Sequence, residues 1–165
     1  QDTIYTGAKF TRLYFKDCYI DGTTDFIFGP STALFEDCII HSKRNSYVTA
    51  ASTPKEAKYG YVFKHCKLTA EPGVDKVYLG RPWRPYAYTL FIECELGKHI
   101  VSAGWHNWGK QSNEETARYM EYKNTGEGAN ASERVAWSKQ LTKKEAEAVT
   151  VDAIFRTQSN WNPID

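Results

Sequence analysis

Four short blocks of the chain repeat one alternation of apolar and other positions. They are Phe15-Lys16-Asp17-Cys18-Tyr19-Ile20, Phe35-Glu36-Asp37-Cys38-Ile39-Ile40, Phe63-Lys64-His65-Cys66-Lys67-Leu68 and Phe91-Ile92-Glu93-Cys94-Glu95-Leu96. Each reads Phe-x-x-Cys-x-(Ile or Leu), and the cysteines stand 20, 28 and 28 residues apart. A pattern that returns every ~20–50 residues marks a solenoid, whose coils bury their apolar faces against one another. On a strand, Cys and the Ile or Leu two positions later share one face, while the residue between them faces the other way. Stacked coils therefore predict an inward ladder of four small thiols. Whether any of them pair as disulfides stays open from the sequence. No Cys-x-x-Cys and no clustering of His gives metal-ligand spacing.

The remaining pattern fills in the coils. Residues 1–20 read as short strands with a loop near Gly7 and Lys9, and residues 23–28 as a strand ended by Gly29-Pro30-Ser31. Residues 46–51 form another strand, 52–59 an excursion loop, and Glu71-Pro72-Gly73 a turn before Val77-Tyr78-Leu79. Beyond Gly109 the repeat is expected to stop. Thr142-Lys143-Lys144-Glu145 is a capping box that predicts a short helix through Ala146-Glu147-Ala148-Val149. The whole, 1–165, reads as one domain: repeat coils over 1–109 and a covering segment over 110–165, packed on the end or flank of the stack.

Composition narrows the function classes. A net charge of +1 without a basic run gives no electrostatic case for nucleic acid. No apolar run approaches the ~18 residues of a membrane span, and no secretory signal is visible. Aromatic residues are abundant, with eleven Tyr and five Trp. They suit stacking on sugar faces and suit a sheet-rich core equally. The chain opens at Gln1-Asp2-Thr3 without an initiator Met, so further residues are expected ahead of it.

One acid stands out. Asp25 lies in Gly22-Thr23-Thr24-Asp25-Phe26-Ile27-Phe28-Gly29, an apolar and β-branched run where a charge is costly unless paired or used. It reads either as a turn residue leading into a strand or as a functional acid. A second acid, Asp2, and a cation, Arg81 in Leu79-Gly80-Arg81-Pro82-Trp83, are candidates to meet it through the repeat.

These segments, with Ala103-Gly104-Trp105, Glu121-Tyr122-Lys123-Asn124-Thr125-Gly126 and Asn160-Trp161-Asn162-Pro163, resemble in order the motifs of the pectin methylesterase (pectinesterase) family. The resemblance implies an all-β, right-handed parallel β-helix that hydrolyses methyl esters of polygalacturonate in plant cell walls, with no metal or other cofactor. By resemblance Asp25 is the nucleophile, Asp2 the general acid and then base, Gln1 an oxyanion donor, and Arg81 the partner of Asp25. Phe28, Trp83, Thr24 and Trp105 would bind the sugar. It also implies pectin as partner, a monomer when full length, and a secreted, periplasmic or otherwise extracellular site of action.

Plain readings stand beside these. Asp2 can be a turn acid, Arg81 a structural arginine, and Phe28, Trp83 and Trp105 core aromatics. The family's chains are roughly twice this length and carry a Gly-x-Tyr-x-Glu motif and another site Gln ahead of Gln1. Many also have Thr-Ala-Gln where Thr49-Ala50-Ala51 stands, a departure expected to touch the substrate groove. The competing functions are a polysaccharide-binding β-helix without activity and, more remotely, a pectate lyase or polygalacturonase. A lyase would be expected to use calcium held by clustered acids, and the sequence shows no such cluster.

Overall fold

In the computed structural model, which describes residues 1–156 and 161–164, the paired strands all run parallel and form three sheets. The first holds β1 (Ile4–Tyr5), β4 (Ile27–Gly29), β7 (Tyr47–Ala51) and β10 (Tyr78–Gly80). The second holds β2 (Arg12–Lys16), β5 (Thr32–Glu36), β8 (Tyr61–Lys64), β11 (Tyr88–Ile92), β13 (Arg118–Tyr122) and β14 (Lys139–Gln140). The third holds β3 (Tyr19–Gly22), β6 (Ile39–Ser42), β9 (Lys67–Ala70) and β12 (Glu95–Leu96). The chain visits the three faces in turn and comes back one coil higher, which is a parallel β-helix.

The repeated blocks explain the register. Phe15, Phe35, Phe63 and Phe91 pair in one column, stacked with ring centroids 4.7, 4.5 and 4.4 Å apart and nearly parallel faces. The residue before each Cys turns the corner to the third sheet in left-handed conformation: Asp17 (φ 53°), Asp37 (54°), His65 (53°) and Glu93 (51°). Each later thiol donates to the Phe carbonyl one coil back, Cys38 to Phe15, Cys66 to Phe35 and Cys94 to Phe63. All four cysteines are free. Cys38, Cys66 and Cys94 are buried, whereas Cys18 is only half-buried, because β3 is an edge strand and covers it from one side alone.

Beyond Gly109 the structure differs from the expectation. β13 continues the second sheet in register, placing Glu121 opposite Phe91, and Lys123 (φ 46°) turns the same corner. Asn124 takes the cysteine's place, its Oδ1 accepting from the Cys94 N–H at 2.9 Å. The fifth rung is therefore a copy whose two marker residues have been exchanged. Buried Glu121 is matched by Arg134, whose Nε donates to Glu121 Oε2 at 2.7 Å. Arg134 also donates to the carbonyls of Ser102 and Gly128, and Asn124 to Glu121, so neither charge is left without partners.

The tail lies on the flank. Val149, Ile154 and Phe155 pack against Leu34, Val62, Leu90 and Ile92, the outward side chains of β5, β8 and β11. The expected helix is α2 (Lys143–Glu147), and its Thr142–Glu145 capping box is formed. Two further short helices, α1 (Ser112–Thr116) and α3 (Val151–Phe155), carry too few turns for a periodic signal. Of the Asn160-Trp161-Asn162-Pro163 motif, Asn160 lies outside the described residues.

Candidate active site

Register brings the two acids together. Ile4 pairs with Ile27 and Tyr5 with Phe28, so Asp2 and Asp25 occupy the same place on adjacent coils. Both are corners rather than strand residues, with φ of 55° and 51°. Asp is among the few side chains that adopt this conformation readily. This corner is why the strand expected over 23–28 begins only at Ile27. The ladder still runs through it: Asp2 N–H donates to the Thr24 carbonyl at 3.2 Å, and Asp25 N–H to that of Tyr47 at 2.9 Å.

Arg81 follows β10, two strands from Asp25 in the sheet, and reaches back to it. Its Nε donates to Asp25 Oδ1 at 3.0 Å and an η-nitrogen to Oδ2 at 2.7 Å, a bidentate, charge-assisted pair. Asp25 is only 9% exposed, so little water competes for this clamp. The guanidinium lies between two rings, its Cζ 3.9 Å from the Tyr47 centroid and 3.7 Å from that of Trp108. Such a sandwich fixes the fork's plane as well as its charge.

The cleft above the acids is lined by Gln1, Asp2, Asp25, Phe28, Ala50, Trp83 and Trp108. The Gln1 amide donates to Asp2 Oδ2 at 3.3 Å. Trp83 is half-exposed, and Tyr5, Phe28 and Trp83 form a strip with centroids 5.1 and 6.0 Å apart. Exposed aromatic faces beside a polar floor suit a sugar chain.

Two expected sugar contacts are elsewhere. Trp105 is 1% exposed, bridges to Gly80, and stacks on Tyr119 at 4.3 Å in the interior. Trp108, three residues on, takes the groove position. Left-handed turns at Gly104 (φ 71°) and Trp108 (φ 63°) break any regular alternation that could have distinguished the two. Thr24 turns its hydroxyl to Ser46 at 2.8 Å and serves through its carbonyl, which holds Asp2. The Thr49-Ala50-Ala51 segment departs from Thr-Ala-Gln at Ala51, which is fully buried and does not line the cleft, so the expected effect on the groove is not seen there; the cleft is lined by the unchanged Ala50.

The sequence reading did not single out Tyr47, His106 or Trp108. His106 Nδ1 accepts the Trp108 N–H at 3.0 Å, and its ring contacts Tyr47 and Tyr78. Burial, and then the nearby Arg81 charge, hold this imidazole below its ordinary pKa.

Two stacked carboxylates, one clamped by an arginine, in an aromatic-walled groove place the molecule among the parallel β-helix proteins with an acidic site on one face. More particularly, the chain belongs to the pectinesterase family, whose model matches residues 1–158. Pectinesterase 31 of Arabidopsis thaliana is 44% identical over 147 residues, 88% of this chain and 46% of that protein. The solved pectin methylesterase from carrot superposes with a TM-score of 0.83 at 33% identity, covering 92% of this chain and 53% of that one. A pectin methylesterase in complex with hexasaccharide VII matches with a TM-score of 0.77 at 28% identity, over 98% of this chain and 58% of that one. The chain thus spans about half the length of these relatives.

Proposed function

We propose that this chain carries the ester-hydrolysing site of a pectin methylesterase, acting on methyl-esterified polygalacturonate outside the cell as a monomer. The observation that carries the reading is the bidentate Arg81–Asp25 clamp, set one coil from Asp2 in an aromatic groove. Arg81 occupies one direction on each Asp25 oxygen and leaves lone pairs for attack. Asp25 attacks the ester carbonyl carbon, and the carbonyl electrons move to oxygen, where the Gln1 amide can donate. The tetrahedral adduct collapses to an acyl-enzyme anhydride, and Asp2 gives its proton to the departing methoxide, releasing methanol. Asp2, now a carboxylate, takes a proton from water, whose oxygen attacks the anhydride. The anhydride opens, the galacturonic acid product leaves and ionises in water, Asp25 returns as a carboxylate, and Asp2 keeps the proton it took from water for the next turnover. Trp83, Phe28 and Trp108 hold the sugars. The hexasaccharide complex of a structural relative supports a polymeric substrate.

The test is methanol release from methyl-esterified pectin by the purified protein. Asp25→Asn is expected to abolish turnover, because a neutral amide is a poor nucleophile. Asp2→Asn should cost ~10²–10⁴-fold, the usual worth of a general acid–base. Arg81→Lys keeps the charge, loses the fork and should cost rate as well. Turnover by Asp25→Asn above a few per cent of parent removes that residue from the nucleophile role. A parent protein that binds pectin and releases no methanol is a binding module instead.

A further inference from the structure

The nucleophile's clamp has a support that lies outside the cleft. Arg81 is fixed by two aromatic walls, Tyr47 on one face and Trp108 on the other. One side chain touches both. The His106 ring lies 5.4 Å from Tyr47 and 5.3 Å from Tyr78, behind the first wall. Its Nδ1 accepts the Trp108 N–H at 3.0 Å, which holds the second wall in a left-handed conformation (φ 63°). That conformation is unfavourable for an ordinary side chain, so a fixed partner is needed to hold it.

We propose that His106 is a positioning residue for ester hydrolysis: it holds both walls of the Arg81 slot and so sets the direction in which Asp25 is presented. This rests on the reading of Asp25 as nucleophile. The position asks for two properties at once, a flat ring against Tyr47 and Tyr78 and an acceptor two residues before Trp108. Phenylalanine supplies the ring alone and asparagine the acceptor alone. The acceptor requires the neutral imidazole with its proton on Nε2. The groups facing it are Tyr47 from β7, Tyr78 from β10, Arg81 just after β10, and the Trp108 N–H of its own loop. The one charge among them is a cation, which with burial opposes protonation, so the support is present at neutral pH and is lost only on the acid side of the usual histidine range.

The experiment compares the parent, His106→Phe and His106→Asn. The first readout needs no activity: acrylamide quenching of the Trp108 emission, taken by difference against Trp108→Phe. Quenching should rise in His106→Phe, where the acceptor is gone, and stay at the parental level in His106→Asn. In methanol-release assays, His106→Phe should lose about tenfold in kcat with a smaller change in KM, at an unchanged melting temperature, since a slightly misdirected nucleophile costs rate before binding. The acid limb of the parent's pH–rate profile should move in His106→Asn, whose acceptor does not titrate. A merely structural role would lower the melting temperature and leave the KM–kcat balance and pH profile alone. Parental quenching in His106→Phe overturns the proposal. An inactive parent whose quenching still responds as described overturns only the esterase reading.

Discussion

The four stacked phenylalanines allow stability to be counted contact by contact. Phe63 is fully buried between Phe35 at 4.5 Å and Phe91 at 4.4 Å, both stacked nearly parallel to it. Phe15, at the end of the column, has one such neighbour at 4.7 Å. Leucine at either position keeps the apolar character and removes the ring–ring contacts. Each aromatic pair is worth ~0.5–1.5 kcal/mol beyond its buried area, so Phe63→Leu should lose ~1–3 kcal/mol and Phe15→Leu about half of that. Repacking misfit adds under ~1.5 kcal/mol, more at the interior site. Urea unfolding followed by circular dichroism, with midpoints compared at an unchanged slope, reads the difference directly. Equal losses for the two variants, or a larger loss at Phe15, would refute the claim that stacking along the column stabilises the fold.

Two further outcomes follow from buried polar groups. His99 is 3% exposed and is pushed from 6.5 down to about 4, first by burial and then by His41. Its folded pKa lies below the unfolded one, so the unfolded chain binds the extra proton between those values, and stability falls by ~3 kcal/mol as pH drops from about 6.5 to about 4. Urea midpoints measured across that range should flatten in His99→Gln; an identical slope in parent and variant would discount His99. Arg134→Met leaves the Glu121 charge, 3% exposed, without its main partner and should cost ~3–5 kcal/mol. Adding Glu121→Met should restore most of the loss, and a single variant within ~1 kcal/mol of parent would show the pair to be dispensable.

What could be read from the sequence was whatever repeats in kind as well as in place. A coil that stacks like on like must reuse a residue type, so Phe and Cys betrayed four rungs. The fifth rung was hidden because Glu121 and Asn124 keep the backbone geometry with different chemistry. The Asp2–Asp25–Arg81 site has no local spacing at all, since its members meet only through register and a long arginine. Family resemblance, not periodicity, pointed to it. Trp105 and Trp108 were indistinguishable for a different reason. Which of two nearby rings enters the core depends on left-handed turns at Gly104 and Trp108, and only glycine announces such a turn in a sequence.

The left-handed corners bear on how the chemistry is mounted. At the turn into the third sheet they carry Asp17, Asp37, His65 and Glu93, exposed side chains that do no more than exchange surface contacts such as His65–Glu93 at 3.1 Å. At the entrance to the first sheet the same backbone device presents Asp2 and Asp25. The fold thus divides its bearing walls from its mounting points, and a mounting point can be re-equipped without disturbing the wall. The offset between the two acids is then set by the backbone pitch of ~4.8 Å, not by how the interior is filled. Repacking the core can loosen the whole stack, but it has no means of retuning the separation on which the paired carboxylates depend.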